Sequence, residues 1–258
     1  MAGLIEDHMV KVDGITLHFQ VIEGDSPTIL LETGGGDDLT SWRDLPTNLA
    51  RETGSTVISY SRPGFGCSEL PEGPCDMRQE ASWMWKGLEK LGYTTNIVLV
   101  GLSYGGWMIR LEANDNPEAV SGLVFIDPFT SEFVDILGVE YLDDHPIGRL
   151  PFDASDPSKL TKHQKAQVHM IGDGLAPKME IMRNTVVPDN IPVVILRSNI
   201  PFLPEPWEND AWYKAIEQMA DSVEGSTLIL AEESSHIIHF YQPDLIINAV
   251  KMVIERNR

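Results

Sequence analysis

The segment GLSYG, residues 101–105, places one serine between two glycines at the end of an apolar run. A serine hydroxyl attacks a carbonyl carbon when a neighbouring base takes its proton. Glycines on either side permit a sharp turn from strand to helix, which exposes Ser103 at the strand's end. We therefore predict that Ser103 is a nucleophile. The backbone N–H of Tyr104, at the start of the following helix, is predicted to bind the developing negative charge.

A nucleophilic serine needs a general base, and the chain has seven histidines. His236 lies in ILAEESSHIIHFYQPDLI, just after the last apolar run and before the last helical pattern. This position puts it at the same end of the predicted strands as Ser103, so His236 is predicted to be the base. His239, three residues later, is the alternative.

The histidine in turn needs a carboxylate to hold its tautomer and to stabilise its charged form. Asp127 follows the apolar run GLVFI directly and is held by Pro128, so we expect it to supply this carboxylate. The next apolar run is followed by a predicted proline-broken loop, residues 199–210, which offers only more distant acids, and Asn199 stands where an acid would be expected. The alternatives for this role are Glu205, Glu208 and Asp210.

Other residues are candidates for holding the substrate. Gly35 is predicted to donate a second N–H to the oxyanion, with Gly36 beside it, because glycine lets a backbone approach a ligand closely. A further set of large apolar residues is predicted to contact the substrate or, alternatively, only to pack the insertion against the core. These residues are Trp107, Met170, Met179 and Met182.

Strands and helices must alternate to position these groups. From residue 28 onward, continuous apolar runs alternate with helical patterns, which indicates a mostly parallel sheet with helices on both faces, an α/β fold. Before them, two strands around the Asp13-Gly14 turn predict an antiparallel edge.

One long segment interrupts this alternation. Residues 129–190 contain helical patterns around 131–142, 159–171 and 175–184 but no convincing strand. A connection of this length is usually functional, so we predict a small helical cap inserted after the sixth core strand. The core then comprises residues 1–128 and 191–258. An insertion without a role in function is the alternative.

Composition limits the partners. A formal net charge of −20 makes nucleic acid and membrane surfaces improbable partners. The start of the chain has no basic, apolar leader pattern and the chain has no long apolar segment, so we expect a cytoplasmic protein, monomeric or homodimeric. No spacing resembles a metal site, and we expect no cofactor. Cys67 and Cys75 are expected to be free thiols.

Several segments together resemble the α/β-hydrolase superfamily, and within it the capped, cofactor-free carboxylesterase-like serine hydrolases. They are YSRPGFGCSE, GLSYGG, LVFIDP and SSHIIHFYQPDLI. The resemblance covers nearly the whole chain and implies the α/β-hydrolase fold with the chain order serine, acid, histidine. Two positions depart from the family pattern. Ser61 replaces an aspartate, which puts the anchoring of Arg62 in doubt, and Thr33 replaces a histidine before the oxyanion glycine.

The function predicted from residues and resemblance is hydrolysis of carboxylic esters of small neutral molecules through an acyl-enzyme. Fold does not fix the reaction. A lactonase, an amidase or aminopeptidase, a C–C bond hydrolase and a hydroxynitrile lyase remain alternatives. A relative that binds a small ligand without turnover is an alternative of a different class.

Overall fold

The computed structural model describes residues 3–73, 75–147, 150–172 and 174–257. Its strands are β1 (Ile5–Val12), β2 (Ile15–Ile22), β3 (Asp25–Glu32), β4 (Ser55–Ser61), β5 (Ile97–Leu102), β6 (Val120–Ile126), β7 (Val193–Ser198) and β8 (Thr227–Ala231). Its α-helices are α1 (Leu45–Thr53), α2 (Met77–Leu91), α3 (Tyr104–Asp115), α4 (Ser131–Leu137), α5 (Val139–Asp144), α6 (Lys162–Ile171), α7 (Leu175–Arg183), α8 (Pro206–Ser222), α9 (Ile238–Tyr241) and α10 (Pro243–Arg256). Short 3-10 helices lie at Leu39–Trp42 and Pro157–Lys159.

All eight of these strands form one sheet in the order β1-β2-β4-β3-β5-β6-β7-β8. The pairs β1–β2 and β2–β4 are antiparallel, and every later pair is parallel. The predicted mostly parallel sheet with an antiparallel edge is therefore confirmed. The parallel strands bring their carboxyl ends to one edge of the sheet, which is where Ser103 and Asp127 follow β5 and β6.

Helices cover both faces of the sheet because its central strands are apolar on both sides. In β5, Ile97 and Leu99 pack into a core shared with α2, α3 and α8. Val98 and Val100 point to the opposite face, against α1 and α10. This burial on both faces explains why the sequence shows continuous apolar runs rather than alternation.

The segment of residues 129–190 contains α4, α5, α6 and α7, and its described residues include no strand. The helices agree with the three predicted helical patterns. The division of the chain into a core and a cap remains a prediction. Within the described residues, Cys67 and Cys75 are free thiols, and no helix is long and apolar enough to cross a membrane.

The sequence interpretation missed two helices, α8 and the short α9. Residues 199–210 were expected to form a proline-broken loop, but α8 begins at Pro206 and runs for 17 residues. Proline is favourable at the first helical position, where its missing N–H costs no hydrogen bond. The buried residues of α8 recur with helical spacing at Ala211, Trp212, Ala215, Ile216 and Met219, and this pattern was the available signal.

Candidate active site

Ser103 sits on a tight turn between β5 and α3 with a φ of 52°, in the left-handed region. The flanking glycines allow the chain to cross itself closely here. A Cβ on Gly101 would lie 2.5 Å from the carbonyl oxygen of Gly105, and a Cβ on Gly105 would lie 2.5 Å from that of Glu32. The predicted strand–turn–helix context of Ser103 is therefore present, and any larger residue at either glycine would collide with backbone.

Backbone hydrogen bonds hold this turn against the end of β6. The N–H of Ser103 donates to the carbonyl oxygen of Ile126 at 3.0 Å, and the N–H of Phe129 donates to that of Ser103 at 3.0 Å. As the first residue of α3, Tyr104 has an N–H without an acceptor inside the helix. The turn thus presents the serine and an N–H group at one edge of the sheet.

Asp127 directly follows β6 and is fully buried. Its N–H donates to the carbonyl oxygen of Leu196, and its Oδ1 accepts the N–H of Ser198 at 2.8 Å. Its Oδ2 lies 2.7 Å from Nδ1 of His236. The structure thus brings together the predicted acid and the predicted base, 109 residues apart in sequence, and β7 orients the carboxylate.

Among the described residues, the alternative acids at the start of α8 make no hydrogen bond or ion pair with His236. Glu205 and Asp210 are exposed. Glu208 is buried, but its Oε1 lies 3.0 Å from Nε2 of His145 and also accepts the hydroxyl of Tyr141. Glu208 thus links α5 to α8 rather than orienting the histidine at the sheet edge.

Aromatic side chains fix the plane of the His236 imidazole. Phe202 stacks on it with ring centroids 4.4 Å apart, and Trp212 of α8 meets it edge-on at 5.4 Å. With Nδ1 bonded to Asp127, the Nε2 atom is the one available to a substrate or a hydroxyl. Within the described residues Ser103 Oγ makes no hydrogen bond. Hydrogen bonds of catalytic groups are often long before a substrate binds.

The alternative base, His239, lies elsewhere. It is 5% exposed, its ring meets Trp42 at 5.3 Å, and neither ring nitrogen has a hydrogen-bond partner among the described residues. Burial lowers the pKa of His239 to about 4, with smaller contributions from His236 and Arg43. His239 thus has no carboxylate to orient its imidazole among the described residues, in contrast to His236.

Arg62 is anchored although Ser61 replaces the family's aspartate. Its Nη1 donates to Oε1 of Glu32 at 2.6 Å and to the carbonyl oxygen of Thr33 at 2.8 Å, and its Nη2 donates to that of Gly34. Glu32 and Arg62 are both buried. Burial raises the pKa of Glu32, against the attraction of Arg62. The ion pair holds the backbone that leads to Gly35. Sequence reasoning left this anchor open, since Glu32 reads as the last residue of an apolar strand.

A cavity of about 260 Å³, here called the Ser103 cavity, opens beside the serine. Three predicted site residues besides Ser103 line it, namely Gly35, Tyr104 and Met170. The rest of its wall is mostly apolar and comes largely from the inserted segment, with Phe129, Asp143, Ile147, Ile171, Gly174, Leu175 and Lys178. A larger cavity, of about 910 Å³, opens at the opposite edge of the sheet, beside Pro192 and Gly225, where none of the predicted catalytic residues lies.

Other residues predicted to contact the substrate lie outside this wall. Trp107, Met179 and Met182 are at most 1% exposed and belong to the main hydrophobic core, and Trp107 packs against Phe129 with centroids 4.8 Å apart. Gly36 also does not line the cavity. Among the described residues no group of three or more His, Cys, Asp or Glu side chains could hold a metal ion.

Comparison with known proteins bears on the fold. The family described as "alpha/beta hydrolase fold" matches residues 27–149. A thermophilic esterase from Thermogutta terrifontis superposes with a TM-score of 0.67 at 20% identity, over 99% of both chains. The epoxide hydrolase CorEH superposes with a TM-score of 0.70 at 18% identity, over 99% of this chain and 100% of the other.

This chain has the α/β-hydrolase fold. The α/β-hydrolase fold that the resemblance of the sequence segments implied is thereby confirmed. A curated relative, the "Probable transporter efuK" of Hormonema carpetanum, is 34% identical over 110 residues, which are 40% of this chain and 15% of that protein. The chain therefore spans a small part of that relative. The solved α/β-hydrolases named above include an esterase and an epoxide hydrolase, so the fold supports a hydrolase without fixing the bond that is cleaved.

Proposed function

We propose that this protein is a serine hydrolase that cleaves carboxylic esters through an acyl-enzyme. The observation that carries the proposal is the 2.7 Å pair of Asp127 and His236 at the same sheet edge as the serine turn. A nucleophile turn, an oriented imidazole and a buried carboxylate are the three parts that activate a serine hydroxyl.

In the proposed reaction, Ser103 Oγ attacks the ester carbonyl carbon and its proton passes to Nε2 of His236. The carbonyl oxygen becomes an oxyanion, which accepts hydrogen bonds from the N–H groups of Gly35 and Tyr104. The intermediate collapses when the C–O bond breaks, and His236 gives its proton to the leaving alcohol. Water then attacks the acyl carbon while its proton passes to His236. The bond to Ser103 Oγ breaks, His236 returns the proton to that oxygen, and the acid is released.

The Ser103 cavity bears on the substrate. Its side chains next to Ser103 are largely apolar, and the volume of about 260 Å³ suits a small molecule. We infer that the substrate part beside the scissile bond is neutral and of short to medium length. Met170 adapts its shape readily and would tolerate different chains.

Labelling and substitution of Ser103 test the proposal. A fluorophosphonate should form one covalent adduct, located on Ser103 by mass spectrometry, and Ser103→Ala should lower the rate on p-nitrophenyl esters by about 10⁴-fold or more. Ser131, which begins α4, provides the control, because Ser131→Ala should leave labelling and rate intact. Label on another residue, or a fully active Ser103→Ala variant, would refute the proposal. A protein that binds esters without turning them over would instead support the ligand-binding alternative.

A further inference from the structure

A second cavity, of about 510 Å³, adjoins the Ser103 cavity. The two cavities share four wall residues, which are Tyr104, Met170, Gly174 and Lys178. A substrate bound at Ser103 therefore has the second cavity directly beside it. We call this second space the Glu80 cavity, after the buried acid in its wall.

Glu80 belongs to α2 and is only 6% exposed. Among the described residues its Oε2 has no hydrogen-bond partner, and the contact of its Oε1 is a weak one, with Sγ of Cys75 at 4.0 Å. A buried carboxyl oxygen without a donor is costly, and in a folded protein such a group calls for an explanation. The mechanism proposed above makes no use of Glu80.

The charges around Glu80 indicate which kind of ligand group could donate a hydrogen bond to its carboxylate. Burial raises the pKa of Glu80 to about 7, the negative charges of Glu32 and Asp76 act in the same direction, and Arg62 and Lys178 oppose them. Both cations have other partners, since Arg62 binds Glu32 and Lys178 Nζ binds the carbonyl oxygens of Ile171 and Gly174.

The wall of the Glu80 cavity is acidic as a whole. Among the described residues it carries Glu72, Asp76 and Glu80 against Lys178, with His169 as a further titratable side chain, in a chain with a net charge of −20. A positively charged hydrogen-bond donor fits this wall better than a neutral or an anionic group, because a carboxylate accepts its strongest hydrogen bonds from charged donors.

We propose that the Glu80 cavity binds an ammonium group at the far end of the ester substrate, with Glu80 as the acceptor. The inference rests on the proposed ester hydrolysis and deepens it. The apolar Ser103 cavity receives the neutral part of the molecule, and the Glu80 cavity receives the amine. The natural substrate is therefore an amino ester, which departs from the wholly neutral substrate expected from the sequence.

Matched substrates test this preference. Ethyl esters of ω-amino acids, from aminobutanoate to aminooctanoate, are compared with the alkanoates in which a methyl group replaces the ammonium. At the length that spans both cavities, kcat/KM for the amino ester should exceed that of its partner by about ten-fold or more. Matching ω-hydroxy esters of the same length should have a kcat/KM between those of the amino and alkyl esters. No amino preference at any length, or a better hydroxy ester, would overturn the inference.

Substitution of Glu80 assigns the effect to this residue. Glu80→Gln should cut the amino-to-alkyl ratio of kcat/KM by about ten-fold, while Glu80→Asp should retain part of it. Glu89, exposed on the same helix, provides the control, because Glu89→Gln removes the same charge outside the cavity and should keep the ratio. The ratio for the native protein should rise as the pH passes through about 7, where Glu80 ionises. His236 acts on both substrates alike, so its effect cancels in the ratio. His169 also lines the Glu80 cavity, and Glu80→Gln should therefore remove the rise if Glu80 causes it. A flat ratio in the native protein contradicts the role of Glu80.

A binding experiment keeps this inference separate from the catalytic proposal. Hexylammonium should bind the native protein more tightly than hexanol, and Glu80→Gln should remove the difference, as measured by ligand-observed NMR. This result needs no ester turnover. If Ser103 is labelled by fluorophosphonate but hexylammonium has no advantage, the inference fails and the serine hydrolase stands. If the ammonium binds but Ser103 is inert, the proposed function fails instead.

Discussion

Asp127 holds two hydrogen bonds that depend on both of its oxygens being acceptors. Oδ1 accepts from the N–H of Ser198, and Oδ2 pairs with Nδ1 of His236. In Asp127→Asn, the amide oxygen still suits the N–H of Ser198, so the amide N–H₂ faces the imidazole. Nδ1 must then accept, and the proton moves to Nε2. A histidine in that tautomer cannot take the serine's proton.

We therefore expect Asp127→Asn to fold normally and to lower kcat on p-nitrophenyl esters by ~10⁴-fold, the size found for such tautomer defects in triads. Asp210 is an exposed acid on α8, and Asp210→Asn should keep the native rate. If Asp127→Asn keeps its activity and Glu205→Gln loses it, the carboxylate that orients His236 is Glu205 and not Asp127.

His239 makes stability depend on pH. Its folded pKa of about 4 lies below the usual 6.5, so the unfolded chain takes up the proton first. The neutral side chain of His239 therefore contributes fully to the free energy of unfolding above pH 6.5. This free energy falls by about 3 kcal/mol as the pH drops towards 4. His239→Gln, which does not titrate, should flatten this part of the curve when urea unfolding is measured at several pH values. If the free energy of unfolding depends on pH in the same way in both proteins, protonation of His239 does not destabilise the folded state.

At the scale of elements, the Glu32–Arg62 pair joins the end of β3 to the end of β4. Glu32→Gln would leave Arg62 buried without its counter-charge, which costs about 3–5 kcal/mol for buried pairs. The exposed pair of Glu52 and Lys251, 3.0 Å apart, joins α1 to α10. Glu52→Gln should cost much less than Glu32→Gln, because water screens exposed charges. Urea unfolding of both variants measures the contrast. If both variants lose the same free energy of unfolding, the buried pair stabilises the fold no more than the exposed pair does.

An element can be predicted from the sequence when a short stretch of residues is enough to indicate it. The runs that became β5 and β6 were evident because a strand buried on both faces is apolar throughout. The placement of Ser103 and Asp127 at the ends of those strands was evident for the same reason. By contrast, α8 was missed because its prolines at 204 and 206 suggested a loop, although Pro206 is the first helical residue.

The remaining features depend on contacts between distant segments. Glu80 is the fourth residue of an amphipathic helix and reads as an exposed charge, yet the fold buries it beside the inserted segment. Met179 and Met182 were expected to line the substrate cavity, but the structure packs them into the core. The side of a helix that faces a cavity is set by the neighbouring helices, which local periodicity does not encode.

At the scale of the whole molecule, the excess of 39 acidic over 19 basic residues sets a repulsive field. Like charges on a compact surface repel one another and destabilise the folded state. Salt shortens the range of this repulsion, from a Debye length of about 30 Å at 0.01 M to about 10 Å at 0.1 M. The same field should attract the amino ester proposed above.

Added salt should therefore stabilise the folded protein but weaken its preference for the amino ester. Raising NaCl from about 0.01 M to about 0.1 M should raise the thermal unfolding midpoint at pH 7 and should lower kcat/KM for the amino ester more than for its alkyl partner. Near the isoelectric point of about 4.6, the net charge vanishes, and the change in midpoint should shrink towards zero. Repeating the pH 7 series with KCl separates screening from specific binding of sodium, because both salts screen equally. A midpoint that falls with salt at pH 7 would mean that the favourable ion pairs outweigh the net repulsion, and that net charge does not limit the stability of this chain.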